Sequence, residues 1–263
     1  MSLKKAAIDP FPPMLSLILG INIVVFLLAN MFPEVKTFTY DHLASYYVFS
    51  NDFKVCQTIT HLFLHTSFTH LFYNMFILWI FGMVLENVWG KWNFLIFYMV
   101  CGMGAWGLHQ IMNWIVYNDL YQLYVQFLTY QSYENFIEVA KLLPQQHHYI
   151  LINTYEENPS LAIKAISLLV DTFKNTPTIG ASGAVFGVLA AFGLLFGETL
   201  LYAYFVFPIK AKWFVAFFIL LEVIAVMSVG NDNVAHYAHI GGAITSILLI
   251  LLFKKQFGKN KII

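Results

Sequence analysis

The sequence has little charge for its length and contains no arginine. Asp, Glu, Lys and Arg make up 11% of its 263 residues, and all 14 basic residues are lysines. Soluble domains carry about 25% charged residues. Together with 59% hydrophobic residues and a mean hydropathy of +0.69, this scarcity excludes an ordinary soluble domain and predicts an integral membrane protein.

Cysteines and basic runs are also scarce. The two cysteines, Cys56 and Cys101, fall in a predicted loop and in a predicted span, so neither a disulfide framework nor a cysteine metal site is indicated. No basic run indicates nucleic acid as a partner. Lys4 and Lys5 precede an apolar run, as in a signal peptide, but no small-residue cleavage site follows, so we expect a retained first helix.

Six stretches are apolar and long enough to cross a hydrocarbon core of about 30 Å, which takes roughly 20 helical residues. They cover residues 13–32, 68–88, 92–117, 179–197, 212–230 and 234–253. The fifth is the least clearly bounded, because 200–207 is also apolar, and the pattern is compatible with five or seven spans. We expect an all-α polytopic membrane protein with a six-helix bundle in a single domain, residues 1–263.

The lysines predict the orientation of these spans. With the N-terminus inside, nine of the fourteen lysines fall on the inner side and five on the outer side. Short loops rich in lysine stay in the cytoplasm. We therefore expect a multi-pass protein of the cell membrane with both termini in the cytoplasm.

The segment from 118 to 178, between the third and fourth spans, is far longer than a usual helix connection. Asn158 and Pro159 form an N-cap followed by proline at the first helical position, and an apolar helical stripe then runs to Phe173. An earlier piece, 119–143, is rich in Tyr, Phe and Leu. This outer insertion is expected to be mostly helical. The residues allow either two amphipathic helices on the membrane surface or a small cap that packs on itself.

Polar side chains from three spans fall at a similar depth below the outer face. At about 1.5 Å per helical residue, Ser182 lies roughly 6 Å and His239 roughly 9 Å below the outer ends of their spans. His70 and Asn74 lie in the first two turns of the second span. Polar groups inside a membrane are costly and usually functional, so their shared depth indicates a site.

Ser182 and His239 have the chemistry of a nucleophile and its base. Serine is a weak nucleophile unless a neighbouring group takes its proton, and histidine is the usual base near neutral pH. Phe186, one turn below Ser182, lies on the same face and is expected to pack against the His239 ring.

Small residues give the two helices a way to approach. Gly183 and Gly187 are four apart in the fourth span, and Gly242 and Ser246 are four apart in the sixth. Small residues at this spacing let helix backbones come close in lipid.

Acyl transfer also requires donors for the developing oxyanion. His70 and Asn74 share one face of the second span, and with the Ser182 N–H they form a candidate oxyanion hole. Glu222 is the one carboxylate well inside a span, but nothing in the pattern directs it to His239. A serine–histidine dyad is therefore favoured over a triad.

The histidine spacing also allows a different interpretation. His61 and His65 are four apart, and His236 and His239 three apart, as in metal sites on helices. No His-Glu-x-x-His pattern is present, and Glu222 is the only carboxylate that could join them. We therefore predict neither metal nor cofactor, and expect His61 and His65 to bond the loop before the second span. A histidine-based metal or ion transporter stays as an alternative.

These segments together resemble the rhomboid family of intramembrane serine proteases. The matching stretches are HLFLHTSFTHLFYN at 61–74, GASG at 180–183 and AHIGG at 238–242. The resemblance covers 13–117 and 178–253. It implies hydrolysis of peptide bonds in or near transmembrane segments of membrane proteins in the bilayer, through an acyl-enzyme.

The resemblance also implies residue roles. Ser182 would be the nucleophile and His239 the base and later acid, with His70, Asn74 and the Ser182 amide lining the oxyanion hole and Gly180 and Gly183 flanking the serine. Glu86 and Gly90 resemble the family's usual end of the second span. A catalytically silent binder of membrane proteins is the main alternative, although such relatives typically lack the serine or the histidine.

The chain departs from the family in two places. A Trp-Arg-like pair usually precedes the first histidine, whereas this chain reads Val55-Cys56-Gln57-Thr58. The 118–178 insertion exceeds the short connection of the simplest members and leads directly into Ser182.

Overall fold

The computed structural model describes residues 8–142, 145–203, 207–227, 235–253 and 257. Among these residues the chain is mostly helical. The helices are α1 (Pro13–Met31), α2 (Pro33–Leu43), α3 (Gln57–Thr60), α4 (Phe68–Trp89), α5 (Lys91–Tyr130), α6 (Tyr133–Leu142), α7 (Gln145–Glu157), α8 (Pro159–Asn175), α9 (Ser182–Leu195), α10 (Ala211–Met227) and α11 (His236–Leu252). A short 3-10 helix covers His61–Phe63, and an antiparallel hairpin pairs β1 (Leu200–Ala203) with β2 (Phe207–Lys210).

Three of the described helices, α1, α4 and α5, are long and apolar enough to cross a membrane. Helices α9 and α11 are apolar but shorter, with 14 and 17 residues. The prediction of a mostly helical, multi-pass membrane protein is therefore confirmed. Lys4, Lys5, the lysines from 254 onward and residues 228–230 of the fifth predicted span lie outside the described residues.

The predicted start of the fourth span is wrong because the backbone there is not helical. Helix α9 begins at Ser182 rather than near 179, since Thr178 pairs with Ser45 through backbone hydrogen bonds of 2.8 and 2.9 Å. Before the fifth predicted span, strand β1 pairs with strand β2, and α10 begins at Ala211, one residue before the predicted start of that span.

A buried carboxylate fixes the start of α1 against α4. Pro12 precedes α1 and supplies no side-chain cap, so the first N–H groups of the helix need another acceptor. Glu86, only 3% exposed, accepts from Met14 N–H at 2.9 Å and from Leu15 N–H at 2.6 Å. Glu86, at the family-like end of the second span, thus caps a helix that lies 72 residues away in the chain.

Helix α9 occupies the centre of the bundle, where it packs against α4, α5, α10 and α11. Half of its fourteen residues are Gly, Ala or Ser, and ten of the fourteen are buried. Small residues allow four neighbours to approach one short helix. Ser182 therefore begins a helix whose position is set from every side.

The closest approach to α9 comes from α11. A methyl group added to Gly242 would overlap the carbonyl oxygen of Gly183, and one added to Gly187 would lie 3.1 Å from the carbonyl oxygen of Gly242. The two backbones are in direct contact at these residues, as their spacing in the sequence indicated.

The segment after residue 117 packs on itself. Helix α5 continues without a break to Tyr130, and α6, α7 and α8 fold back onto its extension. Their buried side chains form a second hydrophobic core, which is separate from that of the bundle: Leu120, Phe127, Phe136, Val139, Ala140, Leu151, Ala162, Ile166 and Val170. Of the two arrangements that the sequence allowed, the self-packed one is present, and we call residues 118–175 the helical cap.

Helix α8 begins where the sequence predicted. The Asn158 side chain accepts a hydrogen bond from the Leu161 N–H at 3.2 Å, and Pro159 follows at the first helical position. The single earlier helix expected at 119–143 is wrong, because Gln131 adopts a left-handed conformation (φ 47°) and ends α5 there. Helix α7 was not predicted.

We predict that Gly242→Ala lowers the thermal stability of the detergent-solubilised protein. The added methyl meets a backbone oxygen that no rotamer change can move, and overpacking of this kind typically costs about 1–3 kcal/mol. The matched control is Gly107→Ala, since Gly107 in α5 has open space around the new methyl. There we expect an unchanged or higher melting temperature, because alanine favours helix. Equal melting temperatures for the two variants would contradict the close contact.

Candidate active site

Ser182 lies where extended backbone changes to helix. Gly180 precedes it with φ +132°, a conformation that favours glycine, and its N–H donates to the carbonyl of His61 at 3.0 Å. Ser182 is then the first residue of α9, where backbone N–H groups have no acceptor within the helix. The local fold therefore presents both the hydroxyl and the N–H of Ser182 at a helix N-terminus.

The structure brings Ser182 and His239 into hydrogen-bond contact. Ser182 Oγ lies 2.7 Å from His239 Nε2, across the interface of α9 and α11. The Phe186 ring stacks on the His239 ring, with centroids 4.5 Å apart and planes at 8°. This stacking holds the imidazole in the plane that directs Nε2 at the serine.

Glu222 lies on the other side of the His239 ring. Its Oε2 is 2.9 Å from His239 Nδ1 and 2.5 Å from His236 Nδ1. The contact with His239 is close, but the ring nitrogen is not aligned on the oxygen as in a good hydrogen bond. The sequence pattern did not direct Glu222 to His239, but in the structure α10 packs against α11 with this carboxylate facing the histidine pair.

Sequence reasoning had a signal for Glu222 that it did not use. At about 1.5 Å per residue, Glu222 lies roughly 12 Å below the outer end of the fifth predicted span, against roughly 9 Å for His239 in the sixth. It was also the one carboxylate well inside a span. The rotation of α10 about its axis, which decides which neighbour the carboxylate faces, was not evident because the span was poorly bounded.

His70 lies beside the serine. A methyl group added to Gly180 would be 2.9 Å from His70 Nε2 and 3.7 Å from Ser182 Oγ, so the ring and the hydroxyl border the same space. His70 Nδ1 is within 3.5 Å of the Thr66 N–H and 3.1 Å of the Thr66 hydroxyl. Because the backbone N–H can only donate, this contact favours the tautomer with Nδ1 as acceptor and the ring proton on Nε2. Nε2 is the nitrogen that borders the space beside Ser182 Oγ.

Asn74 follows His70 by one turn on the same face of α4. It is 6% exposed, and its Nδ2 has no hydrogen-bond partner among the described residues. A buried donor without a partner costs about 1–3 kcal/mol, which is typical of a functional group awaiting a ligand.

The two histidines before α4 have structural surroundings. His61 Nδ1 bonds the Gln57 carbonyl at 2.7 Å, as expected, and burial lowers the pKa of His61 to about 4. His65 packs edge-on against His70, and burial followed by the nearby His70 lowers its pKa to about 3. The expected bond from His65 to the loop is wrong, since neither ring nitrogen has a partner in the described part of the chain. Both imidazoles are therefore neutral at physiological pH.

Gln57 organises the loop at which this chain departs from the rhomboid pattern. Its side chain is fully buried, accepts from Lys54 N–H at 3.1 Å and donates to the Asp52 carbonyl at 3.0 Å. The Gln57 amide thus links both ends of the turn from Asp52 to Lys54. It lies where the family usually has a Trp-Arg-like pair.

The comparisons with known proteins agree with these motifs. The sequence matches the Rhomboid domain family over residues 52–125 and 158–256, which is more than half of the chain. The interruption from 126 to 157 falls in the helical cap.

A curated relative is Rhomboid protein 1, mitochondrial, of Saccharomyces cerevisiae. It is 28% identical to this chain over 250 residues, which cover 93% of the chain and 54% of the relative. The chain therefore spans about half the length of that protein. Rhomboid proteins are in general intramembrane serine proteases, and some members are catalytically silent. With the family match extending over the segments that hold Ser182 and His239, the chain belongs to the rhomboid family.

Proposed function

We propose that the protein is an intramembrane serine endopeptidase that hydrolyses peptide bonds in or near the transmembrane segments of membrane proteins. The observation that carries this proposal is the 2.7 Å contact between Ser182 Oγ and His239 Nε2. A serine with a purely structural role does not require a histidine as its hydrogen-bond acceptor. Polar side chains inside a membrane lower stability, so a pair that is kept there usually has a function.

The proposed topology has six spans, formed by α1, α4, α5, α9, α10 and α11. The helical cap then lies between the third and fourth spans on the outer side, and both termini lie in the cytoplasm. The excess of lysines on the inner side supports this orientation. Ser182, at the start of α9, would face water from the outer side.

The proposed reaction begins with a proton transfer. His239 Nε2 accepts the proton of the Ser182 hydroxyl while Oγ attacks the carbonyl carbon of the scissile peptide. The carbonyl oxygen becomes an oxyanion, for which the Ser182 N–H, His70 Nε2–H and Asn74 Nδ2–H are the donors. His239 then gives the proton to the leaving amine, and a water molecule, activated by the same histidine, releases the acyl group from Ser182.

Glu222 is proposed as a positioning residue for this step. When Nε2 takes the serine proton, the His239 ring becomes positively charged, and a carboxylate 2.9 Å from Nδ1 stabilises that charge. The carboxylate also favours the tautomer in which Nδ1 holds the proton and Nε2 is free to accept one. Glu222 is therefore a third member of the proposed site, less well aligned with His239 than Ser182 is.

The alternatives drawn from the sequence do not account for the contact between Ser182 and His239. A silent binder of membrane proteins does not require a serine in contact with a histidine. In a histidine-based transporter, Ser182 would have no role.

We predict that Ser182→Ala and His239→Ala each abolish cleavage of a single-span model substrate in liposomes. Loss of either group removes the proton transfer on which the attack depends, and we expect rates at least about 10³-fold lower. The matched control is Ser246→Ala, which makes the same change at a buried serine of α11, and this variant should keep its activity. Unimpaired cleavage by Ser182→Ala or His239→Ala would contradict the serine–histidine pair.

A fluorophosphonate probe should label the wild type at Ser182 and leave Ser182→Ala unlabelled.

We predict that Asn74→Leu reduces kcat without reducing stability. Loss of one oxyanion donor costs about 10²–10³-fold in kcat. Because the Asn74 Nδ2 is buried without a partner, its replacement by a residue of similar volume removes a polar penalty, so the melting temperature should stay or rise. A fall in melting temperature together with unchanged kcat of the folded protein would indicate a structural amide instead.

We predict that Glu222→Gln lowers kcat by about 10- to 100-fold, with KM and melting temperature little changed. The loss should be smaller than the ~10⁴-fold effect of neutralising a well-aligned buried aspartate behind a catalytic histidine. Glu86→Gln is the matched control: it makes the same change at the carboxylate that caps α1, and should lower the melting temperature but not kcat. If both variants lower stability and neither lowers kcat, Glu222 is not a positioning residue.

A further inference from the structure

Three metal-ligating side chains meet behind the proposed base. Glu222 on α10 offers a carboxylate oxygen, and His236 and His239 in the first turn of α11 each offer Nδ1. One ligand atom from each of the three residues lies within 4.8 Å of the other two, and no other set of three or more such groups occurs among the described residues. The mechanism proposed above uses Glu222 and His239 but leaves His236 without a role.

The three ligands match a known class of metal site. Two imidazole nitrogens and one carboxylate oxygen form the protein ligands of open zinc sites, in which water occupies the fourth position. The spacing of three residues keeps both histidines on one face of α11, and the Nδ1 atom of each lies within 2.9 Å of the same Glu222 oxygen. Two ligating atoms of a tetrahedral zinc site lie about 3.3 Å apart, given bonds of about 2.0–2.1 Å. The two contacts with the carboxylate oxygen, 2.5 and 2.9 Å, are shorter than this and would open by roughly 0.4 to 0.8 Å.

The group is sheltered but within reach of a small ion. The side chains of Glu222, His236 and His239 are 15%, 16% and 10% exposed. His239 is also more than nine-tenths buried as a residue, and its Nδ1 lacks an aligned hydrogen bond despite the nearby carboxylate. A cation between these atoms would satisfy that nitrogen better than the carboxylate does.

We propose that Glu222, His236 and His239 bind a divalent cation of the zinc class, and that its binding switches the protease off. A neutral imidazole that ligates a metal through Nδ1 carries its proton on Nε2. The proton leaves Nδ1, and Nε2 takes one up. Nε2 then has no lone pair to accept the Ser182 proton. His239 therefore cannot bind a metal ion through Nδ1 and act as a general base through Nε2 at the same time.

The inhibitory part rests on the proposed function, whereas the binding part does not. The binding experiment therefore uses full-length Ser182→Ala in detergent, freed of metal by a chelator and titrated with ZnCl₂ against a chromophoric chelator. We expect one zinc ion per chain. Adding His236→Gln or Glu222→Gln should weaken binding at least tenfold, because each removes one of three ligands. His42→Gln, at an exposed histidine outside the group, is the control and should leave the affinity unchanged.

The activity experiment measures cleavage of the model substrate against zinc concentration, with each variant compared with its own metal-free rate. Zinc should inhibit the wild type, excess EDTA should restore the rate, and the half-inhibitory concentration should rise at least tenfold in His236→Gln. Equal zinc affinity in the ligand variants and in His42→Gln would overturn the site. Binding at the site without inhibition, or activity that requires zinc, would overturn the switch. If the metal-free wild type cleaves nothing, the proposed function fails while the titration of Ser182→Ala still decides the metal site.

Discussion

The geometry of the site depends on the backbone contact between Gly183 and Gly242. Ser182 precedes one glycine on α9, and His239 precedes the other by a single turn of α11. With no side chain between the two backbones, the hydroxyl and the imidazole are brought to hydrogen-bond distance. A larger residue at either position would separate the helices, and Ser182 would lose its acceptor. The same contact also brings Phe186 onto the histidine ring, so a packing constraint between two helices sets both the distance and the orientation of the base.

Much of this site could be predicted because it depends on patterns within single helices. The spacing of Gly183 and Gly187 indicated a close approach, and the i, i+4 spacing of His70 and Asn74 put two donors on one face. Asn158 and Pro159 marked the start of α8 for a similarly local reason, namely that a cap and a proline act on the first turn alone. The estimated depth below the outer face allowed residues from different spans to be compared, and it placed Ser182 and His239 at similar levels. These are properties of a helix and its orientation, and they can be derived from one sequence.

The features that could not be predicted depend on how separate segments meet. Glu222 has about the depth of His239, but the rotation of α10 decides whether it faces that ring or lipid, and no local pattern encodes this rotation. The helical cap is a similar case. The apolar stripe of α8 was evident, yet whether it lay against a membrane or against Phe127 and Phe136 depended on the course of the chain between 119 and 157. The extended backbone before Ser182 was also not predicted. It depends on hydrogen bonds between Thr178 and Ser45, which lies in a loop far away in the sequence.

The two nitrogens of His239 link the proposed chemistry to the proposed regulation. Nε2 lies 2.7 Å from Ser182 Oγ and is the nitrogen that accepts the serine proton. Nδ1 faces Glu222, and what lies at that position decides the state of the whole ring. A proton there leaves Nε2 free to act as a base, and the carboxylate stabilises the charge that develops when it does. A metal ion there, held additionally by His236, forces the proton onto Nε2. Because a neutral imidazole carries one proton, the occupant of one nitrogen fixes the chemistry of the other, and a change on the α10 side of the ring reaches Ser182 without any movement of the helix backbones.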